Sequence, residues 1–222
     1  TGKATLDVAR REASFQDGDQ RLLQREDAAF LSGEWDNFDR RTMPQEGLLL
    51  RSRVGVGRVL DGPWSGMSFQ QTYARARGVT TFAAGPGVDL DLEWGDGRAL
   101  PLDRWWTVGG PSFLMGSTAA AFTVPRFASL RFGVPVRFYL GLGLTAEAAP
   151  RIDLARFSQD GLPDASTQAR GAGLVLRTAL SNFYVELAYG VLRMRPSGGV
   201  AQTSTGFNVT VGTQPFDLWK RH

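Results

Sequence analysis

Asp89, Asp91 and Glu93 occupy alternate positions of the stretch from Val88 to Gly95, so a strand here brings three carboxylates to one face. Carboxylates this close could hold a metal ion or divide acid and base roles between them. The competing reading is a polar lumen face on which arginines such as Arg51 and Arg53 supply the counter-charge. Like charges on one strand face repel unless countered, and we prefer this second reading. His222, the single histidine, is expected to be solvated. No Gly-x-Ser-x-Gly elbow exists, so a lipase nucleophile would have to lie outside this chain. The chain has no cysteine, which removes disulfides and thiolate metal sites. We expect no catalytic residue, no metal and no cofactor.

The elements that must position these carboxylates read as strands throughout. Val88, Leu90, Leu92 and Trp94 alternate strictly with Asp89, Asp91, Glu93 and Gly95, which predicts a strand with one apolar face. Before it come strands over Thr1–Phe15, Arg21–Trp35, Leu48–Leu60 and Met67–Val79. They are separated by turn signals at Gln16–Asp19, Asp36–Gly47 and Asp61–Gly66. After it, Arg126–Val134 forms a sixth strand and a tight turn at Pro135 leads to a seventh over Arg137–Ala148. A polar loop over Pro150–Gln168 precedes an eighth, Arg170–Leu180. Ser181–Asn182 turns into a ninth with Phe183, Val185, Leu187 and Tyr189 on one face. Pro196–Gly199 breaks the chain before a tenth with Phe207, Val209 and Val211. Long connections (97–125, 150–169, 194–201) alternate with short ones (Pro135, Ser181), as in transmembrane barrels.

The connection after the fifth strand is unusual. Leu100–Ser117 carries Trp105, Trp106, Val108, Phe113, Leu114 and Met115, too apolar for a solvated loop. Gly109, Gly110 and Gly116 allow positive φ or close backbone approach. It either packs over the end of a soluble β-sandwich or folds back onto its own scaffold.

The whole chain has 222 residues with a net charge of +3, carried almost wholly by arginine, since only Lys3 and Lys220 are lysines. Arginine scattered through strands with no basic run does not suit nucleic acid, so no nucleic-acid partner is expected. It suits guanidinium–carboxylate pairing in a polar interior. No run of about 18 apolar residues exists, which excludes helical membrane spans but not a membrane β-barrel. The first residue is Thr1, without initiator Met or leader, and we expect a mature segment or a piece of a longer chain.

Three separated stretches resemble the BamA/TamA-type outer-membrane barrels, the bacterial surface antigen family. The inward loop matches at Trp105, Gly109, Gly110, Leu114 and Gly116, with Met115 standing where the family has arginine and Ser117 where it has an aromatic residue. Asp36, Asp39, Pro44 and Gly47 are similar to the family's turn motif. Ser204, Gly206, Val209 and Val211 fit the carboxyl-terminal signal by which such barrels are recognised for insertion. The lead-in Leu102–Trp106 looks most like the barrels that follow patatin-like phospholipases.

The resemblance implies an all-β fold, an antiparallel transmembrane barrel of which these ten strands are the carboxyl-terminal part of sixteen. It implies a bacterial outer-membrane location and an inward loop at Trp105, Trp106, Gly109, Gly110 and Phe113–Gly116. The role implied is to anchor, translocate or help insert a polypeptide, without enzymatic activity in this chain. The partners implied are outer-membrane lipid, the barrel assembly machinery and a covalently linked upstream domain or passenger, of patatin-like type. The alternative is a soluble all-β barrel binding a small ligand.

Three expectations follow from these readings. Leu90, Leu92, Leu140, Leu142, Val185, Leu187, Val209 and Val211 form an outward apolar band while Asp89, Asp91 and Glu93 face inward. Trp64 and Trp94 belong to an interfacial girdle. The sheet stays open, with Thr1–Phe15 and Gln202–Val211 as unpaired edges.

Overall fold

The computed structural model describes residues 2–17, 20–39, 44–82, 85–110, 113–117, 122–141, 144–158, 166–180 and 183–212. The long strands are β1 (Gly2–Asp17), β2 (Gln20–Asp36), β3 (Gly47–Asp61), β4 (Ser68–Thr81), β5 (Gly87–Arg98), β10 (Leu144–Ser158), β11 (Ser166–Leu180), β12 (Phe183–Pro196) and β13 (Gln202–Gly212). Between β5 and β10 lie a 3-10 turn (Leu102–Arg104), β6 (Trp106–Val108), β7 (Phe122–Val124), β8 (Arg126–Gly133) and β9 (Val136–Gly141). One antiparallel sheet runs β1-β2-β3-β4-β5-β8-β10-β11-β12-β13, with β9 continuing the path of β8 against β10. β6 and β7 form a separate two-stranded ribbon inside the long connection.

Within the large sheet, with β8 and β9 sharing one strand position, every neighbour along the chain is a neighbour in space, the simplest route for a barrel-like all-β fold. The sheet is not closed: β1 pairs only with β2, and β13 only with β12. Both expected edges are therefore unpaired on one side among the described residues.

Alternation sets the two faces. Leu90, Leu92 and Trp94 are 40 to 47% exposed, whereas Asp91 and Glu93 are buried on the opposite face. The same outward parity continues through Leu31, Val54, Phe132, Leu154, Leu176, Val191 and Val209. Leu140 and Val211 are also exposed. Val185 and Leu187 share this face but are half-buried; Leu187 lies between Leu176 and Val209 on the flanking strands, which cover it. Leu142 lies outside the described residues.

Two boundaries differ from expectation. Pro135 is not a hairpin turn but an interruption within one strand position: β8 and β9 both pair with β10, before and after Val134–Pro135. β9 instead pairs antiparallel with β10, with Gly141 opposite Leu144. Residues 150–158, expected as loop, continue β10 through Ile152, Asp153 and Leu154, paired to β8 and β11. The cause is local. Pro135 and Pro150 have no N–H to give a ladder, and the fold gathers both at one break, where Val134 N–H donates to the Pro150 carbonyl at 3.0 Å and Gly87 N–H to Pro135 at 2.7 Å.

Candidate functional site

The connection between β5 and β8 folds onto the inner face and crosses it from β2 to β13. Its first anchor is Arg104, whose Nε donates to Glu26 Oε1 at 2.7 Å from a carboxylate with no solvent exposure. Gln24 Nε2 donates to Asp103 Oδ1 at 3.4 Å, and Gln71 Nε2 to the Arg104 carbonyl at 3.3 Å. The Arg104 guanidinium also lies over Phe30 and Phe69, whose rings fill the space left by Gly55 and Gly57 on β3. Trp105 packs on this cluster and donates its Nε1–H to the Leu100 carbonyl at 3.0 Å. Trp64 packs here as well, so it belongs to the interior and not to a girdle; Trp94 does face outward, joined by Trp35.

In mid-course, Trp106 stacks on Tyr73 at 5.5 Å and meets Phe127 edge-on, above Gly95, where a Cβ would come within 2.8 Å of its ring. Val108, Phe113, Leu114 and Met115 are fully buried. Burying them removes four large apolar groups from water, worth roughly 1.5 to 3 kcal/mol each. Gly109, Gly110 and Gly116 all take positive φ, as the turn chemistry requires.

The tip lies in a cradle made by glycines on three adjacent strands. Gly173, Gly190 and Gly206 are direct cross-strand partners on β11, β12 and β13, with Gly171 beside them. A Cβ on Gly190 would lie 2.9 Å from Met115 Cβ, and one on Gly206 2.9 Å from the Gly116 carbonyl carbon. Gly116 itself passes so near β12 that its own Cβ would meet Leu192 N at 2.5 Å. Polar contacts complete the seat. Met115 N–H donates to Asp153 Oδ2 at 2.6 Å, Ser204 Oγ–H to the Gly116 carbonyl at 3.4 Å, and Asn208 Nδ2–H to the Ser117 carbonyl at 3.3 Å. Asp153 is balanced from its own strand by Arg151, at 2.7 Å to each oxygen.

Around this path runs a belt of buried ion pairs. Arg75 holds Asp91 bidentately at 3.0 and 2.7 Å, and Arg77 holds Asp89 with the same two distances. Arg131 bridges Asp91 and Glu93 at 2.8 and 3.0 Å, and Tyr73 O–H donates to Glu93 at 2.7 Å. Farther round, Glu147 accepts from Arg137 and Arg177, and Arg177 also reaches Glu186 at 2.7 Å. The three carboxylates are thus an ion-paired inner face, but with partners other than those expected. Arg51 pairs with Glu34 at 3.0 Å, and Arg53 lies 4.0 Å over the Phe30 ring. Cross-strand geometry decides this, because β4 lies between β3 and β5 and its arginines reach the carboxylates first.

The turn motif is built by side-chain caps. Asp36 Oδ1 accepts from Phe38 N–H, and Asp39 Oδ1 accepts from Gln45 and Glu46 N–H at 2.8 and 3.1 Å. Gly47 takes φ 138 with Phe38 against it. Arg137 donates to the Pro44 carbonyl, which ties this turn to the ion belt. Of the carboxyl-terminal signal, Val209 and Val211 face outward while Gly206 and Ser204 receive the loop tip.

Residues the sequence reading did not single out include Asp153, Arg151, Glu26 and the cradle glycines Gly171, Gly173 and Gly190; Gly206 was singled out for the carboxyl-terminal signal, and Arg104 only as part of the Leu102–Trp106 lead-in. Asp153 sits between Ile152 and Leu154 in the same alternation that revealed Asp91, but the prolines on either side masked it. No protein-family model matches the chain, and no curated protein matches it in sequence.

Proposed function

We propose that the chain forms the wall of a bacterial outer-membrane β-barrel that anchors, translocates or helps insert a polypeptide, and that it performs no catalysis itself. The observation that carries this reading is the division of the faces: apolar side chains exposed outward on strand after strand, buried ion pairs inward. Hydrocarbon cannot solvate charge, and water does not reward a continuous exposed apolar face. The inward loop supports it, since a segment held across the interior can occlude or gate a lumen. The two unpaired edges support a larger ring, with these ten strands as the carboxyl-terminal part of sixteen. On this reading the partners are outer-membrane lipid, the barrel assembly machinery and a covalently linked upstream domain or passenger, of which a patatin-like phospholipase is the class the loop sequence favours.

Detergent dependence tests the reading. The protein is expected to precipitate or aggregate when detergent is removed and to stay dispersed when phospholipid bilayers replace it. Monodisperse protein in plain buffer would contradict a lipid-facing wall and support the soluble, ligand-binding alternative.

A further inference from the structure

The outer face changes character at the ends of β10–β12 that adjoin the longer connections. Arg156, Arg170, Arg193 and Arg195 have the same outward parity as Leu154, Leu174, Tyr189 and Val191, and all four are exposed. Arg170 stands directly opposite Arg193, while Gln168 stands between Arg156 and Arg195 in the next outward row. Adjacent strands are about 4.8 Å apart, so four guanidinium groups share one small patch. None has a carboxylate partner among the described residues. The β10–β11 connection contains Asp160 and Asp164, outside the described residues. Two carboxylates against four guanidinium groups still leave two charges uncompensated.

Like charges placed directly opposite on one sheet face are unfavourable unless an anion joins them. Two exterior arginines elsewhere have theirs: Arg10 pairs with Asp27 at 2.8 Å and Arg25 with Glu12 at 2.9 Å. At the other ends of these strands the outer face carries Leu176, Val185 and Val211 and, among the described residues, no lysine or arginine. The cations are therefore confined to one border of the apolar band.

We propose that this patch binds phosphate groups of lipid headgroups in the leaflet at that border. The inference rests on the membrane reading above. An arginine fork matches two phosphate oxygens at once, and the patch lies where the apolar band gives way to polar surface, at headgroup height. Several guanidinium groups in one patch suit a headgroup with a phosphomonoester, whose charge is higher than that of a diester.

The test uses the protein in nanodiscs of phosphatidylcholine containing a minor fraction of phosphatidic acid, with lipid retained by the protein measured by native mass spectrometry. Phosphatidic acid is expected to be enriched over phosphatidylcholine. R170Q/R193Q is expected to cut that enrichment roughly thirtyfold, from two lost surface cations. R10Q/R25Q, with the same change in net charge, is expected to leave it unaltered. No enrichment with the unaltered protein, or equal losses in both variants, would overturn the inference. Insertion into pure phosphatidylcholine is measured first: failure there sinks the membrane reading itself, whereas insertion without enrichment sinks only this proposal.

Discussion

Asp153 shows how one residue can hold a loop to a wall. Its carboxylate is buried, paired to Arg151 and accepting the Met115 N–H, so it serves strand and loop at once. On the proposed barrel reading Met115 stands where an arginine is expected; here the cation comes from β10 and the loop contributes backbone and packing. Removing Arg151 leaves an uncompensated buried charge, so R151L is expected to destabilise the protein by about 3 kcal/mol in urea unfolding. M115R in the R151L background is expected to recover part of that loss, because a long side chain from position 115 can reach Asp153. Additive destabilisation in the double variant would show that the carboxylate does not accept a cation from the loop.

At the scale of elements, the long connection behaves as a chord across the inner face, fixed at Glu26 on one side and in the glycine cradle on the other. A single β-carbon in the cradle should release the tip while leaving the first anchor in place. For G190V, added methyl groups would occupy the space of Met115 and Gly116, so limited proteolysis is expected to cleave near Phe113–Ser117 at least tenfold faster than in the unaltered protein. Unchanged protection would mean that the seat tolerates displacement and does not hold the loop.

The elements also show what the sequence made legible. β5 was readable because Leu90, Leu92 and Trp94 alternate without interruption, and the apolar loop because its aromatics needed burial. The positive φ at Gly109, Gly110 and Gly116 was readable from glycine itself, which takes that conformation at little cost. The break at Pro135 and the continuation through Asp153 were not, since local proline chemistry reads as a turn until a second proline on the neighbouring strand is known to share the break. Nor were the ion partners legible: Arg51 and Arg75 are equally basic in sequence, and only register sets Arg75 opposite Glu93, from where its guanidinium reaches diagonally to Asp91. The cradle is likewise a product of register, made from glycines scattered over three strands.

For the whole molecule, the decisive feature is the open sheet. β1 exposes Leu6 and Val8, and β13 exposes Phe207, Val209 and Val211, each strand with one unpaired side. Unpaired edges recruit other strands. The cysteine-free chain offers a direct probe: in detergent, V8C/V209C is expected to form disulfides between copies, giving covalent oligomers under oxidising conditions. A quantitative disulfide within one chain would instead mean that the ten strands close on themselves.

Contact of the outer face with hydrocarbon can be read from the water accessibility of single cysteines with the protein in phospholipid bilayers. L92C and L154C are expected to resist a membrane-impermeant maleimide in the folded state and to react after urea denaturation, while S197C, on the exposed β12–β13 connection, reacts in both. Labelling of L92C and L154C as fast as S197C in the folded protein would place that face in water and contradict a lipid-facing wall.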